Sequence, residues 1–441
     1  MYKAQKYILV FLCLGTALAF NPMLNTDVFE FPKLVILILA VTALTITNIV
    51  SLQNSATKIN LKHQPAEVYF LGMMLLSNII SLILSTDIKT SLFGIDTRFN
   101  GFTANLYYIL LGLNFYCFLK KYGKEKTKFI FKWLAITALI SCLVAIAPYL
   151  FPNQTFILFF EPAFYYNRVF GTFGNPNYLA SYIIAILPIL IFVYKPKYLI
   201  ISLPIITTTL FLTGCRSAWI ALILAILTIS TIKLLKEKQV KPLLYSLITI
   251  AIITLTVFLQ TNQTPNTNET QKNQQAIDRL SANPQNLQSL RTRITLWEAG
   301  LKLAKEKPIF GHGQETIQKH IDEYLPQNLQ TNKVFFVDRT HSEATDILVA
   351  LGAFGLITYL GFFLLAAIKA IYTLIKSPKN TADKYFYATL TGYLSLNLFH
   401  LVNFSTVSTN TILYIMAVYL VYESKEILVA GGGFEPPTSR L

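Results

Sequence analysis

The sequence predicts an all-α polytopic membrane protein with about twelve transmembrane helices and one large extracytoplasmic loop. Of its 441 residues, 54% are hydrophobic and 13% are charged, whereas a soluble chain has about 25% charged residues. Apolar runs of membrane-spanning length recur from one end of the chain to the other. A transmembrane barrel would instead show short alternating segments, so the spans are predicted to be helices.

Twelve apolar runs account for this number of spans. They cover residues 7–23, 32–52, 68–86, 104–120, 130–151, 177–194, 197–213, 215–233, 242–260, 343–368, 385–403 and 408–422. The first run also resembles a cleavable signal peptide, since Lys3 and Lys6 precede an apolar stretch that ends in Ala17-Leu18-Ala19. Because eleven more spans follow, we interpret it as an uncleaved helix.

The distribution of charge predicts the orientation. If the N-terminus is inside, the inner loops hold 22 Lys and Arg against 7 Asp and Glu, whereas the outer loops hold 15 of each. The positive-inside rule then places both termini in the cytoplasm, and we expect a multi-pass protein of the cytoplasmic, or inner, membrane. The basic run KKYGKEKTKFIFK at 120–132 becomes an inner loop, so topology accounts for it without nucleic acid.

Two parts of the chain lie outside the predicted spans. Residues 1–425 form the polytopic domain, which includes the extracytoplasmic loop 261–342, and 426–441 are predicted to be a disordered cytoplasmic tail. The loop begins with TNQTPNTNETQKNQQ, whose polar composition is typical of a mobile segment. From about residue 287, apolar residues recur at helical spacing, and we predict an amphipathic helix that ends before Pro308.

Five ionisable side chains stand out because they lie at the predicted outer ends of spans or in the outer loop. They are Arg98, Arg168, Arg216, Arg293 and His341. Guanidinium groups bind phosphates through forked, charge-assisted hydrogen bonds, and a histidine can act as a general base near neutral pH. The set fits a lipid-linked pyrophosphate and an acceptor hydroxyl. No D-x-D motif or His/Cys spacing calls for a metal or another cofactor.

The stretch VDRTHSEATDIL surrounds His341 with further charges. Asp338 or Asp346 could orient the imidazole if the backbone brings either one close. Arg339 and Glu343 have the four-residue spacing of an ion pair on a helix surface.

These residues also have purely structural interpretations. Arg216 can extend its guanidinium to the membrane interface, and Asn177 can cap the following helix. The GHG sequence at 311–313 fits a tight turn, and a histidine such as His341 is by itself more often a surface or capping residue.

Four sequence blocks resemble the O-antigen ligase family, which also contains O-antigen polymerases and protein O-oligosaccharyltransferases. The blocks are RVFGTFGNPNYLASYI at 168–183, LTGCRSAWIALILAI at 212–226, RITLWEAGLKLAKEKPIFGHG at 293–313 and VDRTHSEATDILVALGAFGLITYL at 337–360. They follow one another in the family's order, and a large outer loop precedes the histidine. Two positions depart from the family's pattern: Ser342 stands where Asn often follows the histidine, and Cys215 replaces the commoner Ser.

The resemblance implies a metal-independent glycosyltransferase. A glycan carried on undecaprenyl pyrophosphate would be transferred at the outer face of the membrane to the hydroxyl of an acceptor glycolipid, glycan or protein. By motif, His341 would be the general base, and Arg216 and Arg293 would bind the pyrophosphate leaving group. Further candidates for phosphate or glycan contacts, or for support of the site, are Arg168, Arg98, Asn177, Asp338 and Asp346.

Two other classes of function fit the same spans. A flippase or other transporter of lipid-linked glycans would explain the outer arginines, but it predicts polar cavities near the bilayer midplane and inverted repeats. Most of the predicted spans have no charge in their middle turns. A non-catalytic scaffold of an envelope polysaccharide complex would leave His341 dispensable.

Overall fold

The regular elements of this chain are helices, within the residues that the computed structural model describes: 1–24, 27–53, 64–151, 168–237, 284–326, 337–378 and 381–430. The α-helices are α1 Tyr2–Leu18, α2 Glu30–Gln53, α3 Ala66–Ile83, α4 Ile88–Phe93, α5 Phe102–Tyr122, α6 Lys128–Leu150, α7 Pro176–Val193, α8 Pro196–Leu212, α9 Arg216–Glu237, α10 Pro284–Ala304, α11 Ile317–His320, α12 Glu343–Lys376, α13 Lys384–His400 and α14 Val407–Ala430.

The helices agree with the predicted class of fold. Eleven of the twelve predicted spans overlap helices, and the remaining one, 242–260, lies outside the described residues. By length and composition, 7 of the helices in the described ranges could cross a membrane. The all-α membrane class is therefore confirmed, whereas the total of twelve spans and the extent of the outer loop stay predictions.

Helices α13 and α14 are polar for membrane helices because the bundle encloses them. Small polar residues along both helices are buried, including Thr389, Thr391, Ser395, Ser408 and Thr411. Most of their hydroxyls donate to a carbonyl of the preceding helical turn, as Thr411 does to Val407 at 2.7 Å. A helix surrounded by protein needs no continuous apolar run, since its polar groups can be satisfied internally.

Helix α12 is broken near its start, although the sequence predicted a continuous span there. Gly352 has φ +67°, which interrupts the helical hydrogen bonds. The carbonyls of Val349 and Ala350 accept instead from the backbone N–H groups of His312 and Gly313, at 2.9 and 3.0 Å. The segment that follows α10 is thereby hydrogen-bonded to the start of α12.

The other side of the break is paired in the same way. The N–H groups of Ala353 and Phe354 donate to the carbonyls of Pro308 and Ile309, at 2.8 and 3.1 Å. Gly311 has φ +70°, and a Cβ there would overlap the backbone of α12. The glycines of the GHG turn thus allow a close approach that satisfies four backbone groups in an apolar bundle.

The predicted helix after residue 287 exists as α10, which we call the loop helix. It packs on α12 through a cluster that includes Leu296, Ala299 and Leu303.

The C-terminal helix is longer than the sequence predicted. Helix α14 continues to Ala430, so residues 426–430 of the predicted tail are helical. The rest of that tail lies outside the described residues.

Candidate active site

His341 lies two residues before α12, in a strained backbone conformation. Its φ is +60°, a value that residues other than glycine seldom adopt. The next residue, Ser342, occupies the N-cap position of α12. The half-buried imidazole packs against the ring of Phe404, with the ring centroids 5.3 Å apart. Its Nδ1 is buried and has no hydrogen-bond partner among the described residues.

The surroundings of His341 keep its imidazole neutral. Burial and the positive charges of Arg293 and Arg98 lower the pKa of His341 to about 4, while the carboxylate of Asp338 acts in the opposite direction. Near neutral pH the ring therefore has a lone pair that can accept a proton. With this lowered pKa the imidazole is a weak base in the unliganded protein.

Arg216 and Arg293 come together from separate parts of the sequence. Arg216 is the first residue of α9, after a left-handed turn at Gly214, and Arg293 lies on α10. Burial lowers the pKa of the Arg293 guanidinium, and repulsion from Arg216 adds to this effect. No carboxylate in the described ranges forms an ion pair with Arg293. Its charge remains available for an anion.

Asn403 connects the surroundings of these two arginines. Arg293 Nη2 donates to Asn403 Oδ1 at 3.5 Å, and Asn403 Nδ2 donates to the hydroxyl of Ser217 at 2.9 Å. Ser217 is the neighbour of Arg216 on α9. One amide side chain between α13 and α14 thus links the loop helix to the start of α9.

Arg168 and Asn177 hold the turn that precedes Arg216. Arg168 Nε donates to the carbonyl of Thr213 at 2.5 Å, and its Nη2 donates to Asn177 Oδ1 at 2.7 Å. The predicted cap was wrong by two residues: Asn175 is the N-cap of α7 and accepts from the N–H of Asn177. Pro176 between them has no N–H to offer.

Arg98 lies on the other side of the histidine. Its guanidinium forms a 2.6 Å ion pair with Asp338 and lies 4.0 Å from the ring centroid of Phe404. Arg98 Nη1 is buried and has no hydrogen-bond partner within the described part of the chain. The structure therefore brings Arg98 to the site and gives Asp338 a partner other than His341.

The predicted ion pair between Arg339 and Glu343 is wrong. Arg339 is buried and pairs with Glu315, and its Nη1 lies 3.7 Å from Asp346 Oδ2. These negative charges raise the pKa of Arg339 although burial alone would lower it. Glu343 instead accepts from the N–H and the hydroxyl of Ser405, both at 2.8 Å, so it holds the loop between α13 and α14 against α12.

Neither predicted carboxylate hydrogen-bonds to His341 among the described residues. Asp338 is bound to Arg98. Asp346 Oδ1 accepts from the N–H and the hydroxyl of Thr340, at 2.8 and 2.7 Å. Both carboxylates shape the segment that carries His341, and neither fixes the direction of its ring.

A small polar cavity lies beside these carboxylates. Its polar wall includes Asn78, Asn100, Asn105, Gln314, Glu315, Asp338, Arg339, Glu343, Asp346 and Asn410. It has room for roughly two water molecules. Three oxygen atoms of its wall, on Asn100, Glu315 and Asp346, are buried and have no hydrogen-bond partner in the described ranges. Ordered water would satisfy them.

Sequence reasoning missed two residues that organise the site, Asn403 and Phe404. They occupy the short connection between α13 and α14, which the predicted topology puts on the same side as His341. Phe404 is contacted by His341, Arg98 and, at 5.8 Å between ring centroids, Tyr178. The sequence shows only an Asn-Phe dipeptide near the end of a predicted span. Such dipeptides are too common to indicate a functional site in a single sequence.

These features define a class: an α-helical, multi-span membrane protein with a cationic site beside a neutral histidine. The comparison with known families is consistent with that class. Residues 198–360 match the family model described as O-antigen ligase. This match confirms the predicted resemblance to the O-antigen ligase family over these residues. The matched segment contains Arg216, Arg293 and His341, and no curated protein matches the chain.

Proposed function

We propose that this protein is a metal-independent glycosyltransferase of the cytoplasmic membrane, with both termini in the cytoplasm. It transfers a glycan from an undecaprenyl-pyrophosphate carrier to an acceptor hydroxyl at the outer face, as an O-antigen ligase or a related surface-polysaccharide ligase or polymerase. The family match carries the assignment to a ligase-like enzyme. The donor, the acceptor and the residue roles are the further content of the proposal.

One observation supports those roles most directly. Asn403 hydrogen-bonds both to Arg293 and to the neighbour of Arg216, and the adjacent Phe404 packs on His341. One connection between α13 and α14 therefore contacts Arg293, the start of α9 and His341. Two arginines whose charges repel each other suit the charge of a pyrophosphate, and a neutral histidine near Arg293 suits proton removal from a hydroxyl.

In the proposed reaction the acceptor oxygen forms a bond to the anomeric carbon of the donor glycan. The bond between that carbon and the pyrophosphate oxygen breaks, and its electron pair leaves on undecaprenyl pyrophosphate. His341 takes the proton of the acceptor hydroxyl. Arg216 and Arg293 stabilise the negative charge that grows on the leaving group, where fixed positive charge contributes most to the rate.

Donor binding also makes His341 a stronger base in this mechanism. Burial, followed by the arginine charges, lowers its pKa to about 4 in the unliganded protein. A bound pyrophosphate brings negative charge next to Arg293 and compensates the repulsion, so the pKa of His341 rises toward its ordinary value. Proton acceptance is thereby coupled to the presence of the donor.

The polar cavity is the observation that most favours a transporter instead. Its size argues against passage of a glycan, since it holds roughly two waters. Its buried charges also form ion pairs with one another, because Arg339 pairs with Glu315 and lies close to Asp346. Buried ion pairs of this kind occur in structural networks as well as in ion pathways, so they do not by themselves indicate transport.

The test uses the purified full-length protein in proteoliposomes that contain undecaprenyl pyrophosphate-linked glycan and a glycan or glycolipid acceptor. The release of undecaprenyl pyrophosphate is measured for wild type and for His341→Ala. His320→Ala is the matched control, because His320 hydrogen-bonds to Thr86 at 3.0 Å and has no role in the proposal. We expect His341→Ala to lose most turnover and His320→Ala to retain it.

Turnover by His341→Ala equal to that of wild type would overturn the proposed base. Movement of intact donor across the bilayer without bond cleavage would support the transporter, and absence of both activities in wild type would support the scaffold. In a deletion strain, shorter glycans indicate a polymerase, whereas unattached full-length glycans indicate a ligase.

A further inference from the structure

Among the residues that the structure describes, no polar group binds Nδ1 of His341 and fixes the direction of its imidazole. In active sites that use a histidine base, a carboxylate or carbonyl commonly hydrogen-bonds to the second ring nitrogen. Here Nδ1 has no partner among the described residues, and the two nearby carboxylates on Asp338 and Asp346 bond to Arg98 and Thr340. Within the described part of the chain, packing is the contact that orients the ring.

Phe404 supplies that packing. It is only 8% exposed, and its ring centroid lies 5.3 Å from that of His341. The guanidinium carbons of Arg98 and Arg339 lie 4.0 and 5.5 Å from the same ring, and the ring of Tyr178 meets it edge-on. The ring of Phe404 thus contacts two cations and a second aromatic ring, and the imidazole packs against it.

The backbone around Phe404 is fixed on both sides. Asn403 accepts from the N–H of Glu343 through its carbonyl, at 3.0 Å, and binds Ser217 through its amide. Ser405 donates twice to the carboxylate of Glu343. Because Glu343 begins α12 two residues after His341, these bonds fix the distance between the phenylalanine and the histidine.

We propose that Phe404 is a positioning residue that holds the imidazole of His341 toward the acceptor. This inference rests on the proposed function, in which His341 is the base. It assigns to an apolar ring the role that a hydrogen-bonded carboxylate has elsewhere. Phe404 acts through His341 and not on the donor.

The first test compares kcat and the KM for the lipid-linked donor in Phe404→Leu, Phe404→Met and Phe404→Tyr. A misplaced catalytic group can cost roughly 100-fold in rate, so the Leu and Met variants should lose about 10- to 100-fold in kcat with donor KM within about twofold. Phe404→Tyr keeps the ring and should retain most of the activity. The control is Phe115→Leu, since Phe115 is also a buried phenylalanine, lies in α5 and packs on Phe118.

The second test combines Phe404→Leu with His341→Ala. If Phe404 acts only through His341, the double variant should turn over at the residual rate of His341→Ala. If Phe404→Leu lowered turnover by the same factor in the His341→Ala background as in the wild-type background, that result would overturn the proposal. So would an unchanged kcat in the Leu and Met variants while His341→Ala is inactive. Full turnover by His341→Ala would instead refute the proposed base itself.

A third measurement does not depend on turnover. Diethyl pyrocarbonate modifies neutral imidazoles, and the rate at His341 can be followed by peptide mass spectrometry in detergent. Removal of the covering ring in Phe404→Leu or Phe404→Met should increase this rate several-fold relative to wild type and to Phe115→Leu. Equal rates in all four proteins would show that Phe404 does not hold the imidazole.

Discussion

The guanidinium of Arg293 donates to the side-chain oxygen of Asn403 over 3.5 Å, a long contact between the loop helix and the turn between α13 and α14. The long distance indicates that the bond is easily exchanged for a better acceptor. A pyrophosphate oxygen is such an acceptor, because it carries charge and accepts shorter bonds from guanidinium groups. The amide thus keeps Arg293 in place without neutralising it.

Replacement of Asn403 by aspartate tests this relationship, since the two side chains have the same shape. Asn403→Asp puts a carboxylate beside Arg293, and we expect it to raise the KM for the donor by roughly tenfold, which corresponds to about 1.4 kcal/mol. Asn403→Ala removes the acceptor without adding charge and should raise KM less. An equal KM in the two variants would contradict competition for Arg293. The measurement is donor titration in proteoliposomes.

Substitution of Arg293 should lower kcat/KM far more than substitution of Arg291 on the same helix. Arg293→Gln removes a charged hydrogen-bond donor to the pyrophosphate, which is worth about 1.5–3 kcal/mol, so kcat/KM should fall roughly 10- to 100-fold. Arg291→Gln is the matched control, because Arg291 is exposed two residues earlier on α10. Arg293→Lys should recover little, since lysine lacks the forked geometry. Similar losses at both positions would indicate a general effect of surface charge.

The pH dependence of the reaction should differ between the free and the donor-bound enzyme. In the free enzyme the pKa of His341 is lowered to about 4, so the neutral base persists down to that pH and kcat/KM should stay flat from neutral pH to about 5. Donor binding raises this pKa, so kcat should begin to fall at a higher pH. Profiles of kcat/KM and kcat report these two states separately. Coincident profiles would refute the coupling between donor and base.

Much of the fold followed from the sequence because a bilayer permits few alternatives. Apolar runs gave the helices to within a few residues at most ends, and α10 followed from its spacing of apolar residues. The break in α12 did not follow, since a glycine is tolerated inside many membrane helices. Only the backbone hydrogen bonds between residues 308–313 and 349–354 explain why Gly352 leaves the helical conformation.

The sequence predicted which residues lie at the site better than it predicted their partners. The order of the motifs identified Arg216, Arg293 and His341, because residue type and motif position can be read directly from a sequence. The partners of the charges depend on tertiary contacts at long separation. Arg339 pairs with Glu315, which is 24 residues away, instead of with Glu343 four residues away, because the residues before Glu343 are not helical and the spacing rule does not apply to them.

The buried pair of Arg339 and Glu315 predicts a large effect on stability. Arg339→Met leaves the carboxylates of Glu315 and Asp346 buried without a cation, and such a loss costs about 3–5 kcal/mol. We expect a lower melting temperature in detergent. Combination with Glu315→Gln and Asp346→Asn removes both uncompensated charges and should restore much of the loss. Failure of the triple variant to recover would show that Arg339 has a role beyond neutralising these carboxylates.

The last prediction concerns the break in α12, which joins the loop helix to the helix that follows His341. Gly352 has φ +67°, and a Cβ there would overlap the backbone of Ile309. Gly352→Ala should therefore separate the segment after α10 from α12 and destabilise the protein by several kcal/mol, about 3 or more. Because Arg293 is on α10, the surviving protein should also bind donor more weakly.

Gly72→Ala is the control for Gly352→Ala. Gly72 lies within α3, and a Cβ there would meet nothing within 4 Å. Alanine has the higher helix propensity by about 1 kcal/mol, so this variant should be as stable as wild type or slightly more stable. Thermal unfolding in detergent, followed by loss of monodisperse protein, compares the two. A Gly352→Ala protein with the stability and donor KM of Gly72→Ala would mean that α12 can close into a continuous helix without disturbing the site.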